Sequence, residues 1–148
     1  MYNPGVDIAT VDIAAPADEV FGRMCEVMRI PEWVPGIEQI EVLSTAGQRV
    51  DKVRFMYAPA GTVSYLLHYE YDDAAMTVRW QTQEVGERRL NGQAVISELT
   101  ADRSRLQYSL TTWNAASLPT WAKDVLRADT AQRAAEAFRD WVESQRSA

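Results

Sequence analysis

The chain has 148 residues, 47% hydrophobic and 24% charged, with a formal net charge of −6, which describes one globular domain, 1–148, with enough chain to bury a real core. An acidic balance argues against nucleic acid as the main partner, because phosphate binding needs a cationic face. One cysteine, Cys25, excludes an internal disulfide, and the absence of a signal-peptide start or a membrane-spanning apolar run makes the cytoplasm the expected location.

Residues 7–14 read as a first strand. Pro16 then fits the first helical position, where its missing N–H costs nothing. Asp18 and Glu19 follow in the first turn, on the favourable side of the helix dipole. Val20, Phe21, Met24, Cys25 and Met28 form one apolar face at helical spacing. Pro31 is expected to end this helix, since a residue before proline is pushed out of the α region. Glu32, Trp33 and Val34 add one further turn before Pro35-Gly36 stops it.

Strands are expected at 37–44, 49–58, 62–72, 76–85, 88–100 and 104–114. Gly47, Pro59 to Gly61, Asp72-Asp73, Gly86 and Asp102 supply turn chemistry between them. Val53, Phe55 and Tyr57 share one strand face, against Lys52 and Arg54. Val63, Tyr65, Leu67, Tyr69 and Tyr71 share another, against Ser64, His68 and Glu70. Met76, Val78, Trp80 and Thr82 oppose Arg79, Gln81 and Gln83, and Leu106, Tyr108 and Leu110 oppose Arg105, Gln107 and Ser109. One apolar face and one polar face describe an antiparallel sheet covered on one side. The cover is a last helix from Pro119 to Gln145, with Trp121, Val125, Ala128, Ala131, Ala135, Phe138 and Val142 recurring at steps of three or four. Bulky Trp121 and Val125 near its start are candidates to wall a cavity.

The stretches IAAPADEVFGRM, PEWVPGIEQIEVL, YEYDDAAMTVRW and LNGQAVISEL, taken in this order, resemble the START/Bet v-like helix-grip superfamily. The likeness covers nearly the whole chain and points to the bacterial branch labelled polyketide cyclase/dehydrase or coenzyme Q-binding-like. It implies an α+β fold: a seven-stranded curved antiparallel sheet around a long C-terminal helix, with two short helices after the first strand. Members commonly hold apolar or aromatic small molecules between sheet and helix, and some aromatic polyketide cyclases do chemistry there.

Trp33, Phe55, Tyr57, Tyr65, Tyr69, Trp80, Tyr108 and Trp121 are the expected ligand-binding residues. Any one of them, Tyr71 included, fits a filled core. As a set they bring polar groups that a dry core would avoid, which favours a lined pocket with a few hydroxyl and indole anchors. The expected partner is a hydrophobic small molecule: lipid-like, a quinone or an aromatic polyketide.

No catalytic residue, cofactor or metal is expected. His68 falls on the polar strand face with Ser64 and Glu70. Cys25 reads as a buried structural thiol, and one histidine and one cysteine make a poor ligand set for a metal. Glu84 and Glu98 fall on apolar faces by parity, but near strand ends, where exposure is the simpler expectation. The cyclase likeness implies an inward arginine on the strand YLLHYEY, and Tyr69 stands at the matching position. A polyketide cyclase, aromatase or dehydratase is thus the alternative to a binder, and a protein-interaction module comes third.

Overall fold

The computed structural model describes residues 5–34, 36–57, 63–82, 89–113 and 131–147. Strand β1 (Gly5–Ile13) leads into helix α1 (Ala17–Met24) and a 3₁₀ helix (Val27–Glu32). Strands β2 (Ile37–Ala46), β3 (Arg49–Tyr57), β4 (Val63–Asp72), β5 (Thr77–Thr82), β6 (Arg89–Thr100) and β7 (Arg103–Trp113) follow, and then helix α2 (Ala131–Ser147). All neighbouring strands run antiparallel in one seven-stranded sheet of order β1-β7-β6-β5-β4-β3-β2. Register shifts in β2 between Ile37 and Gln39, and again between Val42 and Thr45, bend the edge strand.

The alternation read from the sequence becomes the two faces of this sheet. Val53, Phe55, Tyr65, Leu67, Tyr69, Val78, Trp80, Leu106 and Tyr108 are buried on the inner face. His68 lies on the outer face, where its Nε2 is 2.9 Å from Asp51 Oδ1 and its Nδ1 is 3.8 Å from Glu70. Glu98 is exposed, next to a register shift at the β6–β7 turn, so its parity with Ala94 and Ile96 does not carry it inward. Glu84 lies outside the described residues.

Helix α2 covers the inner face beside β1 and β7. Ala131, Ala134, Ala135, Phe138, Trp141 and Val142 are its buried stripe, and the three alanines let the helix approach closely. Polar contacts pin its length: Ala131 N–H donates to Asp7 at 2.8 Å, Ala14 N–H donates to Glu143 at 2.9 Å, and Arg146 pairs with Glu19 at 2.7 Å. The part of this helix expected before Ala131, with Trp121 and Val125, lies outside the described residues.

The first helical stretch departs from expectation. Helix α1 stops at Met24, with Cys25 as its C-cap, so Pro31 does not end it. Pro31 sits inside the 3₁₀ helix instead. Tighter winding explains both Pro31 and the burial pattern. A proline ring clashes with the carbonyl four residues back in an α-helix, whereas 3₁₀ winding repeats every three residues. Val27, Ile30 and Trp33, spaced by three, are all buried. Met28, which α-helical spacing would place in the apolar stripe, is 55% exposed.

One buried hydroxyl in this scaffold lacks a hydrogen-bond partner among the described residues, that of Ser104, which is fully buried on β7. A stranded buried hydroxyl costs more than it returns. Ser104→Ala is therefore expected to leave stability unchanged or raise it by up to about 1 kcal/mol in urea denaturation. A loss above about 1 kcal/mol would show that the hydroxyl is satisfied in solution.

Candidate functional site, an aromatic wall under the C-terminal helix

The inner-face aromatics meet as a single chain of rings. Tyr71 stacks on Tyr69 at 6.3 Å between centroids, and Tyr69 stacks on Trp80 at 5.8 Å. Phe55 meets Tyr69 edge-on at 6.5 Å. Trp80 lies 5.4 Å from Tyr108, which meets Trp33 edge-on at 6.5 Å. Trp33 meets Phe138 of α2 at 5.1 Å, and Phe138 lies 6.0 Å from Trp141. Sheet, 3₁₀ segment and C-terminal helix thus share one aromatic wall, with ring geometries that favour attraction.

Strand register explains why the wall is continuous. Tyr69 faces Trp80 across β4 and β5, Trp80 faces Gly92 across β5 and β6, and Ala94 faces Tyr108 across β6 and β7. The Trp80 ring lies against Gly92, where any Cβ would overlap it. Glycine in β6 therefore makes the room that lets a tryptophan cross toward Tyr108.

Five of the expected residues, Phe55, Tyr65, Tyr69, Trp80 and Tyr108, lie buried on the inner face, and Trp33 is buried against them from the 3₁₀ side. The side chain of Tyr57 and the whole of Trp121 lie outside the described residues. Phe138 and Trp141 belong to the same wall. Phe138 was visible only as a core position of the last helix. Trp141, three residues further along the same stripe, carried the spacing signal and was missed.

The polar groups of the wall fall into two kinds. Tyr71 is satisfied: its hydroxyl donates to the Val50 carbonyl at 2.6 Å, and burial pushes its phenol well above the ordinary range, so it stays a donor. The Arg49 guanidinium lies 5.0 Å over its ring and pairs with Asp73. Trp33 is not satisfied. It is 8% exposed, and its indole Nε1–H has no acceptor among the described residues. Leaving such a donor unpaired costs about 1–3 kcal/mol.

Charged side chains meet the wall only at its two ends, Arg49 over Tyr71 and Arg23 and Arg29 over Trp141, and none of the described ones is buried. The only buried polar or charged residues among those described are Thr77 and Ser104. The inner positions of β4 are Tyr65, Leu67 and Tyr69, with no arginine. Cys25 is half-buried, and burial pushes its thiol up to about 11, which keeps it protonated and poorly nucleophilic near neutral pH. No group of three or more His, Cys, Asp or Glu among the described residues could hold a metal ion.

A curved antiparallel sheet closed on a C-terminal helix, with two short helices after the first strand, is the helix-grip fold. Its comparisons with known proteins agree. Residues 9–143 match the model of the polyketide cyclase / dehydrase and lipid transport family, and the chain belongs to that family. A search of curated proteins finds no match. Among solved structures, a START superfamily protein from Mycobacterium smegmatis is similar at 19% identity and a TM-score of 0.76, over 97% of this chain and 99% of that one. The Zhui aromatase/cyclase of a Streptomyces species is similar at 22% identity and 0.73, over 97% and 93%. Norcoclaurine synthase from Thalictrum flavum, in complex with dopamine and hydroxybenzaldehyde, is similar at 13% identity and 0.66, over 97% and 88%. At such identities these three likenesses establish the fold alone.

Proposed function

We propose that this protein binds a neutral hydrophobic small molecule, lipid-like, a quinone or an aromatic polyketide, along the aromatic wall between sheet and helix. The observation that carries this is the buried, unpartnered Trp33 N–H at the end of a run of aromatic rings. A wall of rings supplies apolar burial for affinity, and a spare donor supplies orientation for a ligand oxygen. A ligand that accepts this hydrogen bond removes the cost of the stranded donor. The lack of buried charge among the described residues favours a neutral ligand, because a buried ion needs a partner. Phe55, Tyr65, Tyr69, Trp80, Tyr108 and Trp33 are the proposed contact residues, with Tyr57 and Trp121 as further candidates.

Cyclase or dehydratase chemistry in the same place is supported by the family and by the Zhui aromatase/cyclase neighbour. It ranks second because stabilising an enolate needs a cation or preorganised donors aimed at the developing charge. The β4 position implied for an inward arginine is Tyr69. An interaction module ranks third: the large exposed apolar residues described, Ile8, Met28, Leu43 and Leu99, sit on four separate elements.

Native mass spectrometry with a panel of a long-chain monoacylglycerol, menadione and an anthraquinone tests the proposal. A one-to-one adduct with at least one of them is the expected result. No adduct with any member contradicts it.

A further inference from the structure

Trp141 ends the aromatic chain, and it touches charge. Its ring is 7% exposed, with the Arg29 guanidinium 5.0 Å from its centroid and that of Arg23 at 5.8 Å. Its Nε1–H donates to Glu32 Oε1 at 3.2 Å. Arg29 closes the group by donating to both oxygens of Glu32, at 2.8 and 3.0 Å, and to Gln145 of α2 at 3.3 Å. This bidentate pair, assisted by the Trp141 N–H, holds the Glu32 carboxyl below the usual carboxylate range. Three residues therefore hold this stretch to α2: Arg29 through Gln145, Glu32 through Trp141, and Trp33 through Phe138 one turn earlier.

The two grips differ in kind. Trp33 and Phe138 make a dry contact. Glu32 and Arg29 have side chains 45% and 35% exposed, so water competes for each of their bonds. The segment between them is weak on its own. 3₁₀ hydrogen bonds are in general less well aligned than α-helical ones, Pro31 donates none, and the backbone leaves helical geometry at Glu26, with φ −82° and ψ 71°, just before the 3₁₀ helix, and has φ 89° at Gly36 beyond it. Positive φ there is easy for glycine and for few other residues. Backbone rotation at Glu26 would carry the 3₁₀ helix away from α2.

We propose that Glu32, Arg29 and Trp141 form a latch that holds the 3₁₀ segment closed on α2, and that its release is the step that uncovers the Trp33 end of the aromatic wall. Phe55, Tyr65, Tyr69, Trp80, Tyr108 and Trp33 are all 8% exposed or less, so a ligand reaches them only after some element moves. Glu32 and Trp141 are positioning residues that act through Trp33. The use of the opening for ligand entry rests on the binding function proposed above; the latch itself does not.

Hydrogen exchange on the full chain, without ligand, tests it. Backbone amides of residues 27–34 and the Trp33 indole N–H are followed in wild type, in Trp141→Phe, which keeps a ring but drops the N–H, and in Glu32→Gln, which keeps an acceptor but drops the charge. Both variants are expected to raise both rates together, by about tenfold in Trp141→Phe, while β7 amides at 104–110 stay unchanged. Unchanged rates in both variants overturn the latch. Faster segment amides with an unchanged Trp33 indole overturn the uncovering of the wall. An equal rise in β7 marks a global loss of stability and also overturns the proposal. Failure of ligand binding would leave these rates untouched, so the two proposals fail separately.

Discussion

Phe138→Ala is expected to destabilise the protein by about 3–5 kcal/mol, among the largest effects of a single truncation in the described core. Phe138 is fully buried, and its ring touches both Trp33 and Trp141. Its removal therefore deletes buried apolar surface and opens a void between α2 and the 3₁₀ segment, and the surrounding rings are too rigid to fill that space. The dry half of the attachment between segment and helix goes with it. Urea denaturation reads the stability, and near-ultraviolet circular dichroism reads the loss of fixed packing around Trp33. A cost below about 1 kcal/mol would mean that the helix does not seat on the wall through this residue.

Gly92→Ala is expected to cost about 1–3 kcal/mol, although alanine is ordinarily tolerated in a strand. The added methyl meets atoms of the Trp80 indole, which is a rigid ring held between Tyr69 and Tyr108. Neither β6 nor the ring can yield without breaking the stack. Pairing the substitution with Trp80→Leu separates this cause from a general strand effect. If overlap with the ring is responsible, the double variant is more stable than the sum of the single losses predicts. Simple additivity would place the cost elsewhere.

Much of the scaffold could be read in the sequence because strand side chains alternate with period two. That parity alone sent Phe55, Tyr65, Tyr69, Trp80 and Tyr108 inward and His68 outward. What parity cannot supply is register. The placing of Trp80 over Gly92, and so the continuity of the wall, depends on which β6 residue faces which β5 residue. The 3₁₀ winding was missed because Val20, Phe21, Met24 and Met28 also satisfy α-helical spacing, and Pro31 offered a ready stop. The period-three burial of Val27, Ile30 and Trp33 was the competing signal. Trp141 shows a different limit. Its spacing from Phe138 was visible, but its bond to Glu32 spans 109 residues and no local pattern encodes it.

These features give the family assignment a more specific physical content. The helix-grip scaffold explains why a sheet face and a helix face meet, and the ring chain from Tyr71 to Trp141 explains what this chain places between them. The absence of buried charge among the described residues and the spare Trp33 donor are the grounds on which the proposed ligand is neutral and bears an acceptor oxygen.

Fluorescence titration with menadione, comparing wild type with Trp33→Phe, tests that claim most directly. Menadione offers two carbonyl acceptors on an apolar aromatic body and quenches nearby indoles. Wild type should quench saturably with one-to-one stoichiometry, and Trp33→Phe, which keeps a ring but loses the N–H, should bind about tenfold more weakly. Equal affinity in the two proteins would contradict a ligand anchored on Trp33 along this wall, and quenching that never saturates would exclude small quinones as that ligand.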